Sequence, residues 1–238
     1  MNLREKYGEW GIILGATEGV GKAFAEKIAS EGMSVVLVGR REEKLQELGK
    51  SISETYGVDH MVIRADFAQS DCTDKIFEAT KDLDMGFMSY VACFHTFGKL
   101  QDTPWEKHEQ MINVNVMTFL KCFYHYMGIF AKQDRGAVIN VSSLTAISSS
   151  PYNAQYGAGK SYIKKLTEAV AAECESTNVD VEVITLGTTI TPSLLSNLPG
   201  GPAGEAVMKT AMTPEACVEE AFDNLGKSLS VIAGEHNK

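Results

Sequence analysis

The sequence predicts one α/β domain in which helices cover both faces of a doubly wound parallel sheet. Short apolar segments alternate with longer amphipathic ones along the 238 residues, which is the pattern of successive βαβ units. The short segments are rich in β-branched residues, as strands buried on both faces require. A glycine-rich turn joins the first short segment to the first long one, and no repeat or low-complexity tract divides the chain. These observations favour a single domain over residues 1–238.

Seven short segments have the composition of strands. In chain order they lie near Trp10–Leu14, Ser34–Val38, His60–Ala65, Phe87–Ala92, Ala137–Val141, Val179–Thr185 and Leu229–Ala233. The first runs directly into the glycine-rich turn, the second is the uninterrupted run Ser-Val-Val-Leu-Val, and the last is the shortest.

The longer segments between them predict helices. They lie near Val20–Glu31, Glu42–Tyr56, Cys72–Leu83, Val114–Ala131, Gln155–Ser176 and Pro214–Lys227. Four of the six prolines instead fall in one stretch that also holds three glycines: Pro192, Pro199, Pro202, Pro214, Gly200, Gly201 and Gly204. This composition predicts a long loop with few regular hydrogen bonds, acting as a lid over about residues 188–213.

The composition excludes several functions. The net charge of −9 and the lack of any basic run longer than two residues argue against a nucleic-acid partner. No apolar stretch approaches the roughly 20 residues that a membrane helix needs, and the first ten residues lack a signal-peptide core. The five cysteines are odd in number and form no CxxC pair, so we expect reduced thiols in a cytoplasmic protein. The five histidines show no metal-ligand spacing, and no metal is expected.

The glycine-rich turn predicts a dinucleotide site and hence a Rossmann-type domain. Gly15, Gly19 and Gly21 follow the first strand and open a helical pattern, with Thr17, Glu18 and Val20 between them. Glycines here allow a tight turn and close approach of the backbone to a pyrophosphate at the helix N-terminus.

The end of the second strand favours NADP(H) over NAD(H). An acidic side chain there would bind a ribose 2′-hydroxyl and repel a 2′-phosphate, but the chain reads Gly39, Arg40 and Arg41. The fork of an arginine suits a phosphate dianion. One alternative stays open, that the arginines simply begin a solvated helix. One observation also counts against a 2′-phosphate, the acidic Glu18 in the nearby turn.

Tyr156 and Lys160 are candidates for acid/base chemistry. They lie four residues apart in a predicted helix, so both face one side. A tyrosine with a pKa near 10 needs a shift of about 3 units to act near neutral pH, and a nearby ammonium supplies much of that energy.

These motifs together resemble the short-chain dehydrogenase/reductase superfamily. The turn has its GxxxGxG spacing, and Asn115, Ser143, Tyr156 and Lys160 follow in its order and spacing. Three departures are Leu14 before the turn, Leu186 in place of proline in its PGxxxT motif, and Ala92-Cys93-Phe94-His95 in place of Asn-Asn-Ala-Gly.

The resemblance implies roles for individual residues. Ser143 would polarise a substrate carbonyl, Asn115 would hold a proton-relay water near Lys160, and Tyr156 would protonate the oxygen that receives a hydride from NADPH. Further cofactor contacts would come from Asp66 at the adenine, from the neighbouring Phe67 and Ala92, and from Thr189 and Thr191 at the nicotinamide. An alternative for Asp66 is a helix cap or a solvated turn. The cofactor half would span about residues 1–113, and the catalytic and substrate half about 114–238.

The substrate is less determined than the chemistry. Candidate contacts are Phe94, His95, Thr145, Tyr152, Ser193 and Leu194, with Phe97 and Trp105 also near the mouth; the aromatic residues could equally pack in the core or at an interface. The helices near 114–131 and 155–176 correspond to the pair that forms dimers, or tetramers, in this superfamily.

Three longer runs resemble the 7β-hydroxysteroid dehydrogenases of intestinal anaerobes. They begin MNLREKYGEWGIILGATEGVGKAF, DMGFMSYVACFH and VDVEVITLGTTITPSLL. The resemblance implies interconversion of 7-oxo and 7β-hydroxy bile acids, such as 7-oxolithocholate and ursodeoxycholate, with NADP(H). Those enzymes continue beyond the position matching Lys238, so part of the lid would lie outside this sequence. The alternatives are an NADPH-dependent reductase of another bulky ketone or 3-oxoacyl substrate, and an inert dinucleotide-binding scaffold.

Overall fold

Seven parallel strands form one sheet in the computed structural model, which describes residues 2–238. They are β1 Trp10–Leu14, β2 Ser34–Gly39, β3 His60–Arg64, β4 Met85–Tyr90, β5 Gly136–Ser143, β6 Val179–Leu186 and β7 Ser230–Ile232. Their order across the sheet is β3-β2-β1-β4-β5-β6-β7. The predicted fold class, a doubly wound parallel sheet with helices on both faces, is therefore confirmed.

Ten α-helices within residues 2–238 surround the sheet. They are α1 Leu3–Tyr7, α2 Val20–Ser30, α3 Glu42–Tyr56, α4 Cys72–Thr80, α5 Trp105–Ile112, α6 Phe119–Gln133, α7 Ala154–Glu173, α8 Pro192–Ser196, α9 Gly201–Lys209 and α10 Pro214–Asn224. One π-helical turn, Asn113–Thr118, joins α5 to α6. None of the helices in this part of the chain has both the length and the apolar character to cross a bilayer.

Alternate residues of each strand enter two separate cores. In β1, Ile13 packs under α2, α3 and α10, whereas Ile12 and Leu14 pack under α4, α6 and α7. Successive side chains of a strand point to opposite faces, so a strand covered on both sides must be apolar throughout. This explains why all six residues of β2 are buried.

The strand order places a cleft between β1 and β4. The chain leaves β1 towards one edge of the sheet and returns through β4 towards the other, so the loops after these two strands diverge. Gly15 follows β1 with φ +104°, and a Cβ there would lie 2.6 Å from the backbone nitrogen of Ala92. Only glycine allows this approach, because any side chain would meet backbone.

The segment 188–213 differs from the long loop that its composition predicts. It contains α8 and α9, and Pro192 and Pro202 occupy the first turns of these helices. The first helical N–H groups have no intrahelical acceptor, so a proline there removes no hydrogen bond. The prediction of few regular hydrogen bonds was therefore wrong. Two other helices, α1 and α5, were not predicted, and β4 begins and ends two residues earlier than expected.

Candidate active site

A cavity of about 680 Å³ opens at the carboxyl ends of β1, β4 and β5. This volume lies within the range of ligand-binding clefts, and the position is the one where open α/β sheets bind ligands. Its walls include the predicted residues Gly15, Thr17, Glu18, Val20, Gly39, Arg40, Arg41, Asp66, Phe67, Ala92, Phe94, His95, Ser143, Thr145, Tyr156, Lys160, Thr189, Thr191, Ser193 and Leu194.

The glycine-rich turn forms one end of the cavity. A Cβ on Gly21 would lie 2.0 Å from the Gly15 carbonyl oxygen, and one on Gly19 would lie 2.9 Å from Thr191 Cγ2. These two glycines do not line the cavity, and they allow the turn to pack closely on itself and on Thr191. Within residues 2–238 no side chain caps the start of α2. Val20, the first residue of α2, lines the cavity, so the uncapped N-terminus of the helix lies where a phosphate would bind.

Glu18 carries its own basic partners across the turn. Its carboxylate lies 2.9 Å from Arg41 and 3.7 Å from Lys44. The hydrogen bond with Arg41 lowers the pKa of Glu18 below its usual value. Lys44 is a residue that sequence reasoning missed, although its position one turn into a helix opened by two arginines was a signal. Gly39 faces the same space, where a Cβ would lie 2.7 Å from Thr17 Oγ1.

Asp66 forms a turn, which is the alternative to a contact with the adenine. Its Oδ1 accepts a hydrogen bond from the Ala68 N–H at 3.1 Å. The residue also lines the cavity, together with Phe67 and Ala92. The turn orients the carboxylate, so the two interpretations are compatible.

Tyr156 and Lys160 lie in the first two turns of α7, beside the end of β5. The Lys160 ammonium lies 5.8 Å from the Tyr156 ring centroid and donates to the Val141 carbonyl at 2.9 Å. Ser142 fixes the helix to the strand, because its hydroxyl donates to the Lys160 carbonyl at 2.9 Å. The amine is 2% exposed and the phenol lines the cavity, so α7 presents both groups from one face.

Burial shifts the two pKa values towards the neutral forms. It raises the pKa of Tyr156 above its ordinary value, while a hydrogen bond with Ser143 acts in the opposite direction. It lowers the pKa of Lys160. The sequence led us to expect a lowered pKa for the phenol. The difference arises because the free-energy cost of removing the phenolate from water is larger than the stabilisation that the phenolate gains from the hydrogen bond with Ser143.

Asn115 makes hydrogen bonds to the backbone of the segment after β4. It lies in the π-helical turn, and its amide forms two hydrogen bonds with the backbone of Phe94, at 2.9 Å to the N–H and 2.7 Å to the carbonyl. Both halves of the amide are thus occupied, so the side chain braces the segment after β4. Gly159 permits this contact, because a Cβ there would lie 3.2 Å from Asn115 Cβ.

Cys93 and His95 form a pair that sequence reasoning missed. Cys93 is an exposed residue, yet partial removal of its thiol from water raises the pKa; a hydrogen bond with His95 and the charges of Lys160 and His95 outweigh this effect, so the pKa falls below its ordinary value. The same hydrogen bond raises the pKa of His95. The His95 and Tyr156 ring centroids lie 5.5 Å apart. The signal was the Cys-x-His spacing directly after β4.

The predicted substrate residues divide into two groups. Phe94, His95, Thr145, Ser193 and Leu194 line the cavity, as does Phe97. Tyr152 and Trp105 do not line it, and their side chains are exposed. The backbone explains the position of Tyr152, which has φ +64° and a carbonyl held by the Gly98 N–H. Further lining residues that the sequence did not indicate are Gln110, Asn153 and Asn197.

The fold and the site define a class of protein. A sequence profile described as short chain dehydrogenase matches residues 9–198. The chain therefore belongs to the short-chain dehydrogenase family, oxidoreductases that use a nicotinamide dinucleotide.

Particular members of this family are similar over the full chain. It is 76% identical over 238 residues to a protein named 7β-hydroxysteroid dehydrogenase from Mediterraneibacter gnavus, and equally to one from Collinsella aerofaciens. Each alignment covers 100% of this chain and 90% of the relative. A solved structure from a study of 7β-hydroxysteroid dehydrogenase stereoselectivity has a TM-score of 0.97 and 76% identity, covering 100% of this chain and 92% of that one.

Proposed function

We propose that this chain is an NADP(H)-dependent 7β-hydroxysteroid dehydrogenase that interconverts 7-oxo and 7β-hydroxy bile acids, with 7-oxolithocholate and ursodeoxycholate as a substrate pair. The observation that carries the proposal is the 76% identity over the whole chain to enzymes of that name. The cavity supports it, because Ser143, Tyr156 and Lys160 line one wall of a cleft large enough for a bulky ketone.

The residues of the chain have separate tasks in this reaction. Ser143 hydrogen-bonds the substrate oxygen, and Tyr156 donates the proton to it. Lys160 lies beneath the phenol and contributes positive charge where negative charge develops. Asn115 keeps the Phe94 backbone in place at the cavity wall. The bound nicotinamide supplies the hydride in reduction and accepts it in oxidation.

The preference for NADP(H) rests on the charges around the second strand. Three basic side chains lie there, those of Arg40, Arg41 and Lys44. Within the described residues, the carboxylate that forms ion pairs in this group is that of Glu18. Two or three cations beside one anion leave a net positive charge for a 2′-phosphate. The cofactor half would then be about residues 1–113, and the catalytic and substrate half about 114–238.

Three broader features belong to the same proposal. The segment 188–213 acts as a lid, since α8 brings Ser193 and Leu194 to the cavity wall. The protein forms a homodimer through α6 and α7, where Met117 just before α6 and Tyr124 on α6 expose apolar surface. It resides in the cytoplasm, where reducing conditions suit its free cysteines.

The test is an assay of the purified protein with 7-oxolithocholate and either NADPH or NADH. We expect oxidation of NADPH, followed by its absorbance, and a product with the 7β configuration by chromatography against both epimers. NADH should support a much lower rate at equal concentration. A 7α product, or turnover confined to other ketones, would refute the proposal.

A further inference from the structure

The cavity is asymmetric in charge. Its acidic lining residues, among residues 2–238, are Glu18 and Asp66, and both lie at the adenosine end. The substrate end is lined by apolar and neutral polar side chains around Tyr156 and the histidine His95. The chain as a whole carries a net charge of −9, so it offers no general attraction to an anion. An anionic substrate therefore needs a local positive group at this end.

Lys107 is placed to be that group. It lies on α5, and its ammonium is 5.4 Å from the ring centroid of Phe94, which lines the cavity. Gln110, three residues later on the same helix face, lines the cavity as well. Lys107 is exposed, and no carboxylate of the described chain lies within ion-pair distance of its ammonium. Lys107 does not itself line the cavity, but its charge is available beside the wall that Phe94 forms.

The Lys107 ammonium lies over the ring of Phe94, a residue whose backbone is held in place. Phe94 is held by both hydrogen bonds of the buried Asn115 amide, and Asn115 is itself packed against α7 at Gly159. The aromatic face attracts the ammonium and limits where its flexible stem can go. The backbone of Phe94 is therefore fixed relative to α7.

The other cations that line the cavity lie at the adenosine end or have partners of their own, and Arg40 lies at the adenosine end beside Arg41. Arg41 pairs with Glu18 at the far end, and Lys160 is buried beneath Tyr156 with the Val141 carbonyl. His95 is paired with Cys93.

We propose that Lys107 is a specificity-determining residue that binds the terminal carboxylate of the steroid side chain at the mouth of the cavity. The inference rests on the proposed function, because it concerns an anionic steroid. With the reacting ring carbonyl at Tyr156 and the side chain towards α5, the two contacts would hold the substrate at its steroid nucleus and at the end of its side chain.

The experiment compares two substrates and four proteins. The substrates are 7-oxolithocholate and its uncharged methyl ester, and the proteins are wild type, Lys107→Met, Lys107→Glu and the control Lys132→Met. Methionine keeps most of the apolar stem over Phe94 and removes the charge. Lys132 is an exposed lysine near the end of α6, shortly before the amino end of β5, whereas the cavity opens at the carboxyl ends of the strands.

For Lys107→Met we expect the KM of the acid to rise about two- to fivefold, as for a partly exposed ion pair, with kcat unchanged. The KM of the ester should stay the same in every variant. Lys107→Glu should raise the KM of the acid more than Lys107→Met does. Lys132→Met should have the wild-type KM for both substrates. Added salt should raise the KM of the acid for wild type more than for Lys107→Met.

Equal changes for acid and ester, or no change for either, would overturn the assignment of Lys107 while leaving the proposed function intact. Failure of the wild-type protein to reduce either substrate would overturn the proposed function, and the inference with it.

Discussion

Tyr156 and Lys160 lie one helical turn apart, and burial moves their pKa values in opposite directions. At its ordinary pKa near 10 the phenol is already protonated at neutral pH, which is the state that donates to a carbonyl oxygen in reduction, and the raised pKa makes it a weaker acid. In the oxidative direction the phenol must lose its proton, and the positive charge of an oxidised nicotinamide favours that loss.

Glu18 offers a test at the scale of one residue. Its carboxylate competes with a 2′-phosphate for Arg41 and Lys44 and also repels the phosphate. We expect Glu18→Gln to lower the Kd of NADPH about two- to fivefold, the range of exposed ion pairs, and to leave the Kd of NADH unchanged. Fluorescence titration measures both constants.

The matched control is Glu26→Gln, which removes the carboxylate paired with Lys22 on α2. It should change neither constant. If Glu18→Gln weakened NADPH binding instead, the carboxylate would be orienting Arg41 for the phosphate and not competing with it.

At the scale of an element, β6 carries an unusual group. Glu182 is fully buried, and neither carboxylate oxygen has a hydrogen-bond partner within the described residues. Burial raises its pKa from the ordinary 4.5 to about 8. Because the folded pKa is the higher one, the folded state binds the proton more tightly. The free energy of unfolding should therefore fall as the pH rises from about 4.5 to about 8.

Glu182→Gln should remove most of that dependence, because the amide does not ionise. Each pH unit in this window corresponds to at most about 1.4 kcal/mol per group. Urea unfolding at several pH values gives the slope for each protein. If the free energy of unfolding depended on pH equally in wild type and Glu182→Gln, the Glu182 carboxyl would not retain its proton on folding.

The elements also show how far sequence alone reaches. All seven strands were predicted, because burial on both faces leaves a continuous apolar signal such as that of β2. The helices α8 and α9 were missed, because proline and glycine are read as breakers, whereas the prolines here occupy first turns. Glu182 could not have been placed, since a charged residue in a strand reads as exposed until the covering helices are known.

At the scale of the whole molecule, the order of the strands assembles the site. The glycine-rich turn, Ser143 and Tyr156 are far apart in sequence, yet the carboxyl ends of β1, β4 and β5 bring them to one cavity. Their types and spacing were enough to anticipate this. Two features were not anticipated. One is the pair of hydrogen bonds between Asn115 and the Phe94 backbone, and the other is the Cys93–His95 pair. Each depends on the path of the segment after β4.

The most direct measurement concerns the proton donor. Tyr156→Phe should lose about a hundred- to ten-thousandfold in kcat with 7-oxolithocholate, because it removes the general acid. It should still bind NADPH with nearly the wild-type Kd and unfold at nearly the wild-type temperature. A folded Tyr156→Phe protein that binds NADPH and reduces the ketone at close to the wild-type rate would contradict the account.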